Sequence, residues 1–254
     1  MPSSPEVIAE GVEGRFLSLT FNGGKGNILD LPLVKMIRES LRHALLPGHR
    51  AILVQGAGEH FSFGASVKDH LPERMVEFLP EFHGLLRDLA RTERPILAIV
   101  RGQCLGGGLE LATFSHRVFA HHGARLGCPE VKLAVFAPVA SLWLPRRIGQ
   151  PAADHLLLSG STIGASEALS LKLVDEVGED PGADAVRYAR ESYGPLSASA
   201  LRFAVRAARG AAERSFFESL QEVERVYLEE TMSTKDALEG IRAFLEKRPP
   251  RFEP

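Results

Sequence analysis

The chain has 254 residues, of which 44% are hydrophobic and 24% charged, so it can bury a sizeable core in one medium domain or in a domain with an appendage. Its formal net charge of −2 gives no reason to expect nucleic acid or an anionic membrane surface as a partner. Only two cysteines, Cys104 and Cys128, are present, which leaves little scope for a disulfide framework or a thiolate-rich metal site and favours buried apolar roles for both.

The first half of the chain alternates predicted strands and helices. Strands are predicted at 7–10, 15–21, 51–56 and 95–100. Asp30 is expected to cap a helix that ends before residue 47, and a second helical region, broken by Pro72 and Pro80, is expected to run to Arg91. This alternation is typical of an α/β fold.

The second half changes from mixed structure to helices alone. Short strands are predicted at 118–120 and 125–127, followed by helices at 138–149, 151–160 and 166–172. Beyond about residue 180 the pattern predicts only amphipathic helices, at 183–193, 197–208, 212–232 and 235–247. We therefore divide the chain into an α/β core over 1–180 and a C-terminal helical region over 181–254.

Three consecutive glycines, Gly106 to Gly108, follow the predicted strand at 95–100 and open a helix. Glycines allow close backbone approach, and the first turn of a helix leaves amide donors unpaired, so an oxyanion could bind there. Glu110 follows within one turn and would share that pocket. A glycine triplet alone fits tight helix-on-sheet packing equally well, but it matches neither a P-loop nor a dinucleotide-binding motif.

Four motifs in order along the chain resemble the crotonase (enoyl-CoA hydratase/isomerase) superfamily. They are Phe61–Ala65, Gly106–Glu110, Leu126–Glu130 and Gly240–Lys247. The resemblance covers nearly the whole chain and implies a crotonase-type spiral of repeated ββα units with a C-terminal helical region. It also implies homotrimers, or hexamers made of two trimers, with the helical region making the subunit contacts.

The resemblance implies specific site residues. The backbone amides of Ala65 and Gly107 correspond to the oxyanion hole for a thioester carbonyl, and the two glutamates of the family's hydratases fall on Glu110 and Glu130. Water addition needs one group that activates water and another that delivers a proton to carbon. We expect Glu130 to be the main proton donor or acceptor and Glu110 to hold water, with one carboxyl protonated because two close carboxylates resist joint ionisation.

The resemblance also implies an acyl-CoA substrate, with no separate cofactor and no metal, since coenzyme A is part of the substrate. The residues implied to line the coenzyme A and acyl sites are Lys25, Asn27, Phe63, Ser66, Val67, Lys68, Val135, Phe136, Phe244 and Lys247. For Phe244 and Lys247, a core aromatic residue and a solvated lysine are equally compatible with the pattern. Without a signal-peptide pattern in residues 1–7 or a long apolar run, a cytoplasmic location is expected.

Departures from the family pattern concern the acyl group. After Glu130, relatives have small residues, whereas this chain has Val135, Phe136 and Pro138. This segment and those at 63–67 and 102–105 resemble the family's hydratases of cyclohexa-1,5-diene-1-carbonyl-CoA in anaerobic benzoyl-CoA degradation. The alternatives are a general enoyl-CoA hydratase, an acyl-CoA isomerase or hydrolase of this fold, and a non-catalytic binding member.

Two pairs of neighbouring residues suggest other kinds of site. His121 and His122 suggest a metal, but neighbouring residues of a strand point to opposite faces and no third ligand is spaced nearby. His60 and Ser62 suggest a hydrolase, but no serine lies in a G-x-S-x-G turn. Surface and loop roles are the favoured interpretations.

Overall fold

A computed structural model describes residues 5–253 of the chain. Its strands are β1 (Glu6–Val12), β2 (Phe16–Asn22), β3 (Ala51–Gly56), β4 (Ile96–Val100), β5 (Gln103–Leu105), β6 (Arg117–His121), β7 (Arg125–Gly127), β8 (Thr162–Gly164) and β9 (Glu176–Gly178). They form a six-stranded sheet in the order β1-β2-β3-β4-β6-β9 and a three-stranded sheet in the order β5-β7-β8. In the large sheet only β1 runs antiparallel to its neighbour.

Helices surround the two sheets and make up the tail. The α-helices are α1 (Leu31–Ala44), α2 (Pro72–Arg91), α3 (Gly107–Phe114), α4 (Pro138–Ile148), α5 (Gln150–Ser159), α6 (Ala165–Ser170), α7 (Pro181–Tyr188), α8 (Ala198–Arg225) and α9 (Lys235–Leu245). Short 3-10 helices span Val67–His70, Pro129–Leu133 and Thr231–Ser233, and π-helical segments span Ala189–Tyr193 and Val226–Glu230.

The large sheet is covered on both faces, as its mostly parallel pairing requires. All five residues of β4 are buried. One face packs in a core with α1, α2 and α3, and the other packs against Ala185 and Ala189 of the tail. Two layers therefore hold the carboxyl ends of the parallel strands in place, and the turn after β4 leads directly into β5 and α3.

The structure confirms the prediction of an α/β core with a helical C-terminal region. Asp30 caps α1, since its side chain accepts a hydrogen bond of 2.9 Å from the Leu33 N–H. The division of the chain at residue 180 stays a prediction. The outer ends of the two predicted regions, residues 1–4 and 254, lie outside the described residues. In the structure β9 ends at Gly178, and Phe216 and Ile241 of the tail are buried in the same core as the sheet.

Two predicted helix breaks were wrong. Helix α2 continues through Pro80, which lies on its exposed face, where water can bind the carbonyl that loses its partner. Helix α8 continues through Gly210, so one helix replaces the two predicted at 197–208 and 212–232. Burial of the apolar faces of both helices outweighs these local penalties, which are about 1 kcal/mol for an interior glycine and about 3 kcal/mol for a proline.

The short strands β5, β8 and β9 were not predicted. Each has only three residues, which is too short for an alternating pattern to stand out. Among residues 5–253, no helix combines the length and apolar character needed to cross a membrane. The cytoplasmic location stays a prediction.

Candidate active site

The loop at 61–65 is fastened alongside β5. The Ser62 N–H donates a 2.9 Å hydrogen bond to the Gln103 carbonyl, and the Leu105 N–H donates one of 2.9 Å to the Ser62 carbonyl. Gly64 has a φ of +99°, and a Cβ there would lie 2.8 Å from the Leu105 carbonyl oxygen. Glycine is therefore required where the loop passes the strand.

This arrangement brings the amides of Ala65 and Gly107 together. A Cβ built on Gly107 would lie 3.4 Å from the Ala65 nitrogen, and one built on Gly64 would lie 3.4 Å from the Gly107 nitrogen. Within the described part of the chain, neither N–H donates a hydrogen bond to a protein acceptor. Two neighbouring free donors suit a carbonyl oxygen that acquires negative charge.

Glu110 lies on α3, is 4% exposed, and faces the start of α4. The backbone N–H of Ala140 donates a hydrogen bond of 2.9 Å to its Oε1. Burial raises the pKa of Glu110 to about 7, although hydrogen bonds from the amides of Ala140 and Val139 act in the opposite direction by stabilising the carboxylate. Glu110 can therefore exchange a proton near neutral pH.

Glu130 lies on the 3-10 helix that follows β7, with Pro129 in its first turn. A Cβ at Gly106 would lie 2.5 Å from Glu130 Oε1, so glycine at that position leaves room for the carboxyl group. Its Oε2 is buried and has no hydrogen-bond partner within residues 5–253. Burial, reinforced by the charge of nearby Glu110, raises the pKa of Glu130 to about 8.

One cavity of about 20 Å³, which is enough for a single water, is lined by Ala65, Gly107, Glu110 and Glu130. The rest of its lining is mostly apolar and includes His70, Met75, Phe78, Leu79, Phe82, Phe136, Ala137, Pro138 and Tyr227. Phe136 and Ala137 also line a neighbouring cavity of about 260 Å³, which Glu130 reaches as well. The mostly apolar lining disfavours the charged form of a carboxyl group, which explains why both glutamates have raised pKa values.

Sequence reasoning missed part of this lining. Phe78 and Phe82 lie four residues apart on α2, a spacing that marks one helix face but not what that face covers. Tyr227 reaches the cavity from a helix more than ninety positions along the chain from Glu130. No local sequence signal indicates such a contact.

The residues assigned to coenzyme A by resemblance are mostly on the surface. Lys25, Lys68, Phe63, Phe244 and Lys247 are exposed, and Ser66 and Val67 are half-buried next to Ala65. Exposed lysines are available to phosphate groups.

Asn27 and Val135 are placed differently from the rest of that set. The side chain of Asn27 is buried, and its Nδ2 donates hydrogen bonds of 2.8 and 2.7 Å to the carbonyls of Ala57 and His60. It therefore braces the loop. Val135 is buried in the core and is not among the residues lining the cavity, whereas Phe136 is.

The other candidate sites have structural explanations. Ser62 Oγ donates to the Asn27 carbonyl at 2.7 Å, and His60 Nδ1 accepts from the Gln103 N–H at 3.3 Å, so the two side chains do not form a nucleophile and base pair. His121 and His122 are paired with the exposed Glu179, and the described residues contain no metal-type cluster of His, Cys, Asp or Glu. Cys104 and Cys128 are free and buried, as predicted.

Comparisons with known proteins agree with this geometry. A family model described as enoyl-CoA hydratase/isomerase matches residues 17–254. Cyclohexa-1,5-dienecarbonyl-CoA hydratase of Thauera aromatica is 45% identical over 252 residues, which cover 99% of this chain and 98% of that protein. A probable enoyl-CoA hydratase of Bacillus subtilis is 34% identical over 218 residues, covering 81% of this chain and 82% of that protein. A solved enoyl-CoA hydratase/isomerase of Pseudoalteromonas atlantica has a TM-score of 0.85 and 28% identity, covering 99% of this chain and 100% of that one.

Proposed function

Because the chain belongs to the enoyl-CoA hydratase/isomerase family, we propose that it is a hydratase of a cyclic dienoyl-CoA thioester. The substrate is cyclohexa-1,5-diene-1-carbonyl-CoA and the product 6-hydroxycyclohex-1-ene-1-carbonyl-CoA. The observation that carries this proposal is one cavity lined by two free backbone amides and two buried carboxyl groups. The Thauera relative, similar over nearly the whole chain, supports the choice of substrate.

The reaction joins the water oxygen to the β carbon of the thioester. The displaced π electrons move through the α carbon onto the thioester oxygen, where the amides of Ala65 and Gly107 stabilise the negative charge. Each such donor typically lowers a barrier by a few kcal/mol. When the electrons return, a double bond forms between the α carbon and its other ring neighbour, and a proton binds the ring carbon directly across from the new hydroxyl.

The two carboxyl groups suit the two proton transfers. Glu110 receives a hydrogen bond from the Ala140 N–H, which stabilises its ionised form, so it takes a proton from water. Glu130 Oε2 receives no hydrogen bond from residues 5–253, and Glu130 has the higher pKa of the two glutamates. Glu130 therefore begins protonated and transfers its proton to the ring carbon. The next turnover requires the proton gained by Glu110 to reach Glu130.

A ring needs more room than a cavity of about 20 Å³. Phe136 and Ala137 line both this cavity and the neighbouring one of about 260 Å³, so rotation of the Phe136 side chain would join the two. The resulting pocket would be broad next to the carboxyl groups. A pocket of that breadth, still bounded on one side by the Phe136 ring, suits a compact ring better than a long linear chain.

We also propose that the coenzyme A portion lies along the loops that carry Lys25 and Lys68, whose ammonium groups are exposed and can pair with phosphates. The proposed assembly is a homotrimer or a pair of trimers. Exposed apolar side chains of the tail, Leu196, Phe203, Phe244 and Leu245, support burial against other subunits. Light scattering that gives the mass of a single chain would contradict this assembly.

The decisive experiment is a spectrophotometric assay of the purified protein with cyclohexa-1,5-diene-1-carbonyl-CoA and with crotonyl-CoA. We expect turnover of the cyclic substrate and, in deuterium oxide, a deuteron at the ring carbon opposite the new hydroxyl. Glu110→Gln and Glu130→Gln should each reduce turnover by on the order of 10²-fold or more. Faster turnover of crotonyl-CoA would favour a general enoyl-CoA hydratase, the activity named for the Bacillus relative. No turnover of either thioester would reject hydration.

A further inference from the structure

Tyr227 is, with His70, one of two further polar side chains in the lining of the cavity that contains Glu110 and Glu130. It lies in the π-helical segment that continues α8, and the residue is 1% exposed. Its ring packs edge-on against Phe136, with 5.1 Å between the ring centres. The tail therefore supplies part of the wall next to the reacting atoms.

The Tyr227 hydroxyl is buried without a hydrogen-bond partner in the described part of the chain, and the same is true of Glu130 Oε2. A buried polar group without a partner typically costs about 1–3 kcal/mol, so such groups are rare in folded proteins and call for an explanation. Here both atoms belong to residues that line one cavity, and its volume matches a single oxygen-sized group. A bound oxygen would satisfy both.

The position of Tyr227 is held from outside the cavity. Glu224, one turn earlier, accepts a hydrogen bond of 2.5 Å from Nδ1 of His83, which is fully buried on α2. The residue before His83 is Phe82, which also lines the cavity. A wide π-helical turn then begins at Val226, and such turns are frequent at functional sites. The tail is thus hydrogen-bonded to α2, a helix that also lines the cavity.

We propose that Tyr227 contacts the substrate and that its hydroxyl donates a hydrogen bond to the oxygen that becomes the ring hydroxyl. This inference rests on the proposed hydration of a cyclic dienoyl thioester. Tyr227 transfers no proton in this role. It holds the water oxygen at the β carbon while Glu110 removes the proton, and it binds the same oxygen in the product.

The surroundings of Tyr227 favour a donor. Burial, together with the charges of Glu130 and Glu110, raises the pKa of its phenol, so the hydroxyl keeps its proton at neutral pH. The edge-on contact with Phe136 fixes the ring without involving the hydroxyl. Removing the hydroxyl alone should therefore leave the packing intact.

Tyr227→Phe tests the proposal, with Tyr188→Phe as the matched control, since Tyr188 packs on Phe119 in the separate small core. First, kcat/KM for the cyclic dienoyl thioester should fall by about 10-fold in Tyr227→Phe and stay unchanged in Tyr188→Phe. If the wild-type protein does not hydrate this thioester, the proposed function fails. If it does and Tyr227→Phe is fully active, only the role of Tyr227 fails.

Binding measurements separate contact with the substrate from a structural role. In a Glu110→Gln background, which prevents turnover, calorimetry gives Kd values for 6-hydroxycyclohex-1-ene-1-carbonyl-CoA and for cyclohex-1-ene-1-carbonyl-CoA. Adding Tyr227→Phe should raise the Kd of the hydroxylated ligand by about 3- to 10-fold and leave the Kd of the other ligand unchanged. Equal weakening of both ligands, or of neither, would overturn the proposal.

A second substitution covers the case in which Tyr227→Phe does not fold. Site-specific 3-fluorotyrosine at position 227 keeps the ring and makes the hydroxyl a stronger donor. It should tighten binding of the hydroxylated ligand and leave the Kd of the other ligand unchanged. An unchanged Kd for both ligands would count against the hydrogen bond.

Discussion

The backbone N–H of Ala140 lies 2.9 Å from Glu110 Oε1 and donates a hydrogen bond to it. This amide belongs to the first turn of α4, where N–H groups have no partner within the helix, so the contact favours a carboxylate at Glu110. Glu130 has no comparable donor for its Oε2 within residues 5–253. Two glutamates in one cavity therefore differ in protonation, and this difference can be measured.

The first prediction concerns the pH dependence of hydration. Burial raises the pKa of Glu110 to about 7 and that of Glu130 to about 8. With Glu110 as base and Glu130 as acid, kcat/KM should rise as the pH passes about 7 and fall above about 8, giving a narrow bell-shaped profile. Initial rates from about pH 5.5 to about pH 9.5 provide the measurement. A profile without a fall at high pH would contradict Glu130 as the acid.

The second prediction concerns stability. The folded protein holds the Glu130 proton up to a pKa of about 8, whereas the ordinary value is 4.5, so unfolding releases a proton between these pH values and stability falls as the pH rises. Glu130→Gln removes this loss. Its melting temperature should exceed that of the wild type by a few degrees at about pH 8.5 and by less at about pH 5, although its turnover should be reduced. The exposed Glu59→Gln serves as the control, and a constant difference across the pH range would contradict the prediction.

The third prediction concerns Gly106. This residue has a φ of +51°, and a Cβ there would lie 2.5 Å from Glu130 Oε1. Gly106→Ala should displace the Glu130 carboxyl group and reduce kcat by on the order of 10²-fold. Gly14→Ala is the matched control, because its φ is +64° but nothing lies within 4 Å of a Cβ there. Steady-state kinetics should show normal kcat for Gly14→Ala, and equal losses in both variants would point to general strain.

The fourth prediction tests the fastening of the tail. Glu224→Ala leaves the buried Nδ1 of His83 without its partner and should lower the free energy of unfolding by about 1–3 kcal/mol. Glu229→Ala, which removes only an exposed pair with Arg225, should change it by less than about 0.5 kcal/mol. Urea unfolding followed by circular dichroism measures both values. Similar values for the two variants would show that the buried pair adds no stability.

The fifth prediction concerns the acyl group. Phe136 lines both cavities next to Glu130, so Phe136→Ala would open the pocket and remove the wall that favours a compact ring. The ratio of kcat/KM for the cyclic thioester to that for a long linear enoyl-CoA should fall by about 10-fold. Phe252→Ala, an exposed position near the C-terminus, is the control. An unchanged ratio would remove Phe136 from the determinants of specificity.

Much of the fold could be predicted because its elements are marked locally. Buried strands such as 51–56 and 95–100 are runs of apolar residues, and Asp30 with Pro32 marks the start of α1. The errors came where tertiary packing outweighs local preference. Pro80 and Gly210 lie inside helices whose apolar faces are buried, and β5, β8 and β9 exist only because neighbouring strands pair with them.

The sequence by itself determined which residue types carry the chemistry. The glycines at 64 and 106 to 108 mark a turn and a helix start, and the motifs that contain Glu110 and Glu130 resemble those of the family. Only the tertiary structure decided that the two glutamates differ and that Tyr227 joins them. The proton affinity of a carboxyl group depends on its burial and on hydrogen-bond donors from distant segments. The spacing of residues along the chain does not indicate that the start of α4 lies beside Glu110 or that the tail lies beside Glu130.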